Sequence, residues 1–490
     1  MVVKAKMSRR PVLVLGSMGA AVLVVTALIV VLPLGRDHTV HDDDPTIEPV
    51  PTSVDEVAWQ WEPDEETIVE RVHPGPAGPL VLTDTGAIAL SGSTGDELWN
   101  YALTERDGTR IETGTTPGGE HTLIAQAEGE PATEEHGSAS GGATGGPFET
   151  EVAVIDSRTG ELQDRYTYTD EDPLSDLQNL AGDTWLEPHQ DGLRARSIND
   201  GQTAWTYNPP DNCELTHHSD NRRFDGPVIG TTVDTYLLPL SCPTDEIRDA
   251  LDHDPDELPE KAPGQLTALD TRTGEPAWPE SVDLTLTPIR NQKDRPYVDT
   301  RFTLSIDGRK AIASAPTGES IIDTSTGEII TTQLEGQKLF YFGTEYLYYS
   351  RYSSQDDDSV PVTTVDPSTG EQDGEEIILD PGSHDLQSRP EHDFLGDFSY
   401  SGGFSYIPLE QGILAFGCRS TCDSSGDSKN LSTLFFGANE ASPNAATIPL
   451  PGLKSSQGPG EHFVPTPGAI VAVQYTSDSP SGIAPLTGLA

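Results

Sequence analysis

Two kinds of apolar run divide this chain. One is long: an uncharged stretch extends from Pro11 to Gly35 without a break. The others are short and lie after Trp59, where runs such as "VAVID" and "TALD" alternate with clusters of Gly, Thr, Ser and Asp. Short runs bounded by turn residues predict β-strands joined by hairpins rather than helices.

The short runs recur as a phrase. Its copies are "ALSGSTGDELWNY" (Gly95), "VIDSRTGELQDRY" (Gly160), "ARSINDGQTAWTY" (Gly201), "ALDTRTGEPAWPE" (Gly274), "IIDTSTGEIITTQ" (Gly327) and "TVDPSTGEQDGEE" (Gly370). The glycines are about 40 to about 75 residues apart, the length of a propeller blade carrying insertions. In four copies an Asp stands four residues before the glycine, at Asp156, Asp270, Asp323 and Asp366. Its short carboxylate is suited to accept turn N–H groups. The glycine supplies the left-handed conformation of a bulged hairpin. Trp99, Trp205 and Trp278 follow their glycine by four residues, and Tyr101, Tyr166 and Tyr207 by six. Even offsets place these rings on one face of the outgoing strand, where they fill the gap to a neighbouring sheet. Repetition assigns all of these residues to structure, because an active site needs one acid and not one per repeat.

The phrase resembles the repeat named for pyrroloquinoline quinone (PQQ) enzymes, A-x-D-x-x-T-G-x-x-x-W, and the resemblance covers about residues 57–490. It implies an all-β propeller of four-stranded blades. That family includes quinone-dependent alcohol dehydrogenases. It also includes non-enzymatic propellers, among them the outer-membrane assembly lipoprotein of the β-barrel assembly machinery and membrane-anchored actinobacterial proteins. The dehydrogenases hold their quinone against a disulfide between adjacent cysteines, with a calcium-ligand set and a catalytic Asp. No two cysteines are adjacent here, and neither of the other two features falls on a matching motif. The resemblance therefore implies the fold and no cofactor.

Blade number follows from closure. Seven strand-turn-strand units run from Glu66 to about Pro451, with "STLFFGANEASPNAATIPL" (432–450) as a degenerate copy. Gly327 and Gly370 are not followed by Trp, so their blades should pack differently. The lone strand in "VAWQWEP" (57–63), with Trp59 and Trp61 on one face, is expected to pair with the C-terminal strands and complete an eighth blade. Such a ring leaves no open edge. Seven blades result if the degenerate region is divided differently.

The N-terminus bears on location. Lys4, Lys6, Arg9 and Arg10 precede the long run, and Asp42, Asp43 and Asp44 follow it. The run is long enough to cross a bilayer as a helix, and this polarity places everything after it outside. No small-x-small cleavage pattern ends it, so it reads as an uncleaved anchor. The expected organisation is a cytoplasmic tail (1–10), a transmembrane helix (11–35), an acidic, Pro-rich, solvated tether (36–56) holding His38 and His41, and the propeller (57–490).

Outside the membrane, the four cysteines should be oxidised. Of three possible pairings, the local ones, Cys213–Cys242 and Cys418–Cys422, are expected. Cys-x-x-x-Cys with no nearby His is poor zinc chemistry. Asp252, Asp254 and Asp256 lack the calcium-loop glycine, and His217–His218 reads as a solvated loop beside a disulfide. No metal site is assigned.

With 80 acidic against 29 basic residues the net charge is −51, which repels nucleic acid and anionic lipid. No G-x-S-x-G setting supports a hydrolase. The sequence favours a monomeric, membrane-anchored extracytoplasmic scaffold that binds an envelope protein or peptide, and it assigns no catalytic residue. Two alternatives stay open: a PQQ-dependent oxidoreductase, and a ligand or cation sensor using acidic loops.

Overall fold

The computed structural model describes residues 38–40, 45–64, 67–103, 109–128, 148–170, 177, 179–189, 192–216, 229–247, 261–288, 297–299, 302–305, 308–315, 318–331, 338–342, 347–350, 360–366, 368–369, 371, 377–379, 406–409, 412–417, 430–437, 446–454, 461–474 and 485–490. Among these residues nearly all regular structure is β, arranged as antiparallel sheets whose strands follow one another in chain order.

The first sheet runs Val69–Pro74, Pro79–Thr83, Gly86–Leu90, Glu97–Ala102. The second runs Thr109–Thr115, His121–Glu128, Phe148–Asp156, Leu162–Asp170. The third runs Leu180–Ala181, Thr184–His189, Gly192–Ser197, Thr203–Tyr207. In the fourth, Glu214–Leu215 and Gly230–Thr231 both pair with Thr235–Ser241, followed by Ala262–Asp270, Val282–Pro288 and Tyr297–Asp299. The fifth, sixth and seventh begin at Phe302, Lys338 and Tyr406 and hold four strands each.

The last sheet draws on both ends of the chain. Glu461–Thr466, Ala469–Gln474 and Leu486–Leu489 are completed by Val57–Trp61, which pairs with Leu486–Leu489. Trp59 lies opposite Gly488 and Trp61 opposite Leu486.

Side-chain alternation explains how the sheets meet. Successive residues of a strand point to opposite faces. In the second sheet, Ile124, Ala153 and Ile155 pack with Leu80, Leu82 and Ala89 of the first. Their neighbours Leu123, Val152 and Val154 pack with Leu180 and Trp185 of the third. The fourth sheet is shared in the same way: Tyr236, Leu238 and Leu240 face the third, and Leu237, Leu266 and Ala268 face the fifth. A further cluster joins Trp59, Val471 and Leu486 of the last sheet to Val72, Val81 and Leu90 of the first. There is thus a core between each of these neighbouring pairs, where two stacked sheets would share one.

A middle strand such as Pro79–Thr83 is buried at every residue because both its faces are covered. The first strands also meet one another: Val69–Pro74 lies beside Glu461–Thr466, and Gly230–Thr231 beside Phe302–Leu304. Sheets that share cores pairwise and touch along their first strands radiate from a centre, which is a β-propeller.

Two observations bear on the chain before the propeller. No helix among the described residues is long and apolar enough to cross a membrane. The expected anchor at 11–35 lies outside them. Among the described residues, parts of the segment expected to be a tether are bonded to the propeller. His38–Thr39 adds a strand to the outer edge of the first sheet, opposite Tyr101 and Asn100. The Pro49 carbonyl accepts from Gly468 N at 3.0 Å. Val54 is buried, and Asp55 and Glu56 donate to the Ala490 carbonyl at 2.9 and 3.1 Å. A Pro-rich, acidic composition says a segment is extended and polar; it does not say whether a sheet edge nearby will take it up.

Candidate functional site

The repeated phrase builds the turn between the third and fourth strands of a sheet. Gly95, Gly160, Gly201, Gly274 and Gly327 all have φ between 67° and 78°. Where Asp precedes the glycine, its carboxylate holds the turn. Asp156 Oδ1 accepts from Arg158 N and Thr159 N at 3.0 and 2.9 Å. Asp270 Oδ1 accepts from Arg272 N and Thr273 N, both at 2.9 Å. Asp323 takes Ser325 N and Thr326 N in the same way, and Asp366 takes Ser368 N. In the two copies without Asp, Ser91 Oγ and Ser197 Oγ accept from Thr94 N and Asn199 N, each at 3.3 Å.

Asp323 and Asp366 titrate low. Partial burial pushes Asp323 up, but its hydrogen bonds from Ser325 and Thr326 outweigh this and hold it below the usual range. The Ser368 hydroxyl and amide lower Asp366. These acids are engaged by their own turns.

The sequence places rings between sheets but does not say what they meet. Trp59, Trp99, Trp205 and Trp278 each meet the glycine of the next copy. A β-carbon on Gly95 would come within 2.7 Å of the Trp59 indole, on Gly160 within 2.5 Å of Trp99, on Gly274 within 2.5 Å of Trp205, and on Gly327 within 2.7 Å of Trp278. The indole N–H then donates to the carbonyl three residues before that glycine. Trp99 reaches Ser157 O, Trp205 reaches Thr271 O and Trp278 reaches Thr324 O, each at 2.9 Å; Trp59 reaches Gly92 O. So the glycine is required twice, by its backbone and by the ring above it. Tyr101 is buried beside Trp99, and Tyr207 packs partly into the core shared by the third and fourth sheets.

The second copy has Asp164 where the first, third and fourth have Trp. Tyr166, two residues on and on the same face, takes over: a β-carbon on Gly201 would lie 2.7 Å from its ring. Its hydroxyl is buried with no partner among the described residues. Trp185 stacks on Tyr166 with ring centroids 6.4 Å apart and planes 9° apart. Arg196 sits 5.1 Å from the centre of the Tyr168 ring, a cation over its face. Arg196 Nε donates to Glu187 at 2.8 Å, Arg194 also pairs with Glu187, and Arg196 Nη1 reaches the Gly201 carbonyl at 3.1 Å. The cost of desolvating these charges offsets much of their mutual attraction, so the pair is weak evidence of stability.

One titratable group near the centre has no such structural use. His73 lies on the first strand of the first sheet, and its Nε2 is sealed from solvent without a partner among the described residues. Burial, and then the Arg71 charge, lower its pKa to about 4, so it is neutral at ordinary pH.

Cys213 and Cys242 are bonded and tie Glu214–Leu215 to the end of its partner strand Thr235–Ser241. Cys418, Cys422, Gly370, His41, His217, His218, Asp252, Asp254 and Asp256 lie outside the described residues. Among the described residues no group of three or more His, Cys, Asp or Glu side chains is placed to hold a metal ion.

No family model and no curated protein matches the chain. Among solved structures it is similar to BamB from Moraxella catarrhalis, at 15% identity over 86% of this chain and 98% of that one, with a TM-score of 0.37. It is also similar to a eukaryotic initiation factor, at 10% identity over 90% and 95% of the two chains, with a TM-score of 0.40. A third is the quinohemoprotein alcohol dehydrogenase ADHIIG from Pseudomonas putida HK5, at 8% identity over 88% and 75%, with a TM-score of 0.36. Likeness at this level says nothing of activity.

Proposed function

We propose that the protein is an eight-bladed propeller, held outside the cell membrane by the helix at 11–35, that works as a binding scaffold for an envelope protein or peptide. One observation carries the reading. The residues that look reactive in the sequence, an acid and an aromatic ring in copy after copy, are committed to turns and seams: Asp156, Asp270, Asp323 and Asp366 hold their own hairpins, and Trp99, Trp205 and Trp278 cover the next glycine.

The eight sheets among the described residues support the blade count. The Cys213–Cys242 bond suits an oxidising compartment. The basic flank before 11–35 and the acidic one after it suit a C-terminal domain outside.

Crosslinking in intact cells, followed by purification of the full chain and identification of what travels with it, tests the scaffold reading. An envelope protein bound in a fixed ratio is expected. Saturable PQQ binding, read by tryptophan fluorescence and accompanied by dye-linked alcohol oxidation, would replace it with the oxidoreductase reading.

A further inference from the structure

We infer that residues 38–40 and 45–56 strap the propeller down and fix how it faces the membrane, so that the rim at the first and second sheets lies against the lipid headgroups. The inference rests on the membrane-anchored reading above and adds orientation to it.

The strap is attached at both ends. At its start, His38 Nε2–H donates to the Gly160 carbonyl at 2.7 Å, and the His38 ring stands edge-on to Tyr101 with centroids 5.2 Å apart. Asn100 N donates to Thr39 Oγ1 at 3.0 Å. His38 therefore touches two sheets at once: Tyr101 belongs to the first, and Gly160 to the turn of the second. At its end, Pro49, Asp55 and Glu56 are bonded to the Gly468 turn and to Ala490, both of the last sheet.

Length decides what this does. The uncharged stretch ends at Gly35. A flexible link from there to Val57 would have a root-mean-square span of roughly 25 Å and leave the propeller free to tumble. With His38 docked only three residue steps remain, at most about 11 Å when fully extended. The headgroup layer is itself about 6 Å deep on each side. The docking point then lies at or just beyond the headgroups, which turns the rim at the first and second sheets toward the lipid.

The repeat supplies matched probes. Glu161 and Glu328 are both exposed and both immediately follow the phrase glycine, Glu161 beside the His38 contact and Glu328 on the fifth sheet. The full chain is placed in zwitterionic phosphatidylcholine nanodiscs with a photocrosslinking benzoylphenylalanine replacing Glu161 or Glu328, and lipid adducts are quantified. Glu161 should label lipid and Glu328 should stay at background.

The pair His38→Ala and Thr39→Pro should lower Glu161 labelling to the Glu328 level. A 20-residue Gly-Ser linker inserted between Asp37 and His38 should do the same while leaving the strap docked. Equal labelling at both sites in the parent chain, or undiminished Glu161 labelling after linker insertion, overturns the orientation alone. A chain that stays soluble and never enters the nanodisc overturns the anchored reading, and the orientation with it.

Discussion

The indole of Trp99 covers the α-carbon of Gly160 in the neighbouring sheet, so closely that a β-carbon there would lie 2.5 Å from the ring system, and its N–H donates to Ser157 O at 2.9 Å. The contact runs from one copy of the phrase to the next. It makes the repeat a rule about pairs of sheets and not only about one hairpin.

Gly160→Ala should cost about 2–4 kcal/mol: about 1 for a non-glycine residue in a left-handed conformation and about 1–3 for displacing the packed indole. Gly308 is the control. Its φ is +68°, but a β-carbon there meets nothing closer than 3.5 Å. Gly308→Ala should cost only the backbone part, about 1 kcal/mol. Urea unfolding of both variants gives the comparison, and equal losses would show that the ring plays no part.

Tyr166 fills its seam with the ring, while its hydroxyl is buried without a partner among the described residues. Tyr166→Phe should therefore be neutral or stabilising, because a desolvated donor is removed with little change in shape. Tyr166→Ala should cost about 3–5 kcal/mol. A loss of more than about 1 kcal/mol in the Phe variant would mean that the hydroxyl is bonded after all.

Acid should weaken the fold in two separable windows. The pKa of His73 is about 4 in the folded chain against an ordinary 6.5. The unfolded state therefore binds more protons between those values, and stability falls as pH drops from about 6.5 to about 4. At about 1.4 kcal/mol per pKa unit, the loss is about 3 kcal/mol at most. Asp323 and Asp366 titrate low for the opposite charge type, so their contribution is lost only below the ordinary carboxylate range. His73→Leu should flatten the upper window and leave the lower one. Denaturant midpoints taken at half-unit pH steps in both proteins check this, and an unchanged slope between pH 6.5 and 4 in the variant would assign the upper window to other groups.

Removing the Cys213–Cys242 bond, whose cysteines are 29 residues apart, should cost about 3–4 kcal/mol through loop entropy in the unfolded chain. The double variant Cys213→Ser, Cys242→Ser should unfold at correspondingly lower urea. A midpoint equal to that of the parent would place the bond's effect outside stability.

Much of this architecture was legible because propeller repeats write the same local chemistry many times. The Thr-Gly step marks each hairpin, and the even offsets of Trp99, Trp205 and Trp278 put those rings on one face. The pairing of the Trp59 strand with the chain's end follows from the need to close a ring. The partner of each ring was not legible, since Gly160 lies 61 residues beyond Trp99 and no local pattern links them. Tyr166 shows a subtler limit. Its spacing alone does not reveal that it replaces a missing Trp, because that depends on which position reaches Gly201. His38 is the clearest departure: the sequence suggests a solvated histidine, whereas a free strand edge and the Gly160 carbonyl recruit it. His73 was not singled out either, and a lone His in a short strand gives no sign that its ring nitrogen will be sealed.

Closure of the propeller rests on ring-to-glycine seams, and the seam made by the two chain ends is the most direct place to test this. Trp59 covers Gly95 of the first sheet and Gly488 of its own. A double-mutant cycle of Trp59→Ala and Gly95→Ala, read by urea unfolding, isolates that contact. In the Trp59→Ala background, Gly95→Ala should cost only its backbone strain, giving a coupling of about 1 kcal/mol or more. Costs that add within about 0.5 kcal/mol would mean that the ring and the glycine act independently, and would contradict the seam as the element that closes the fold.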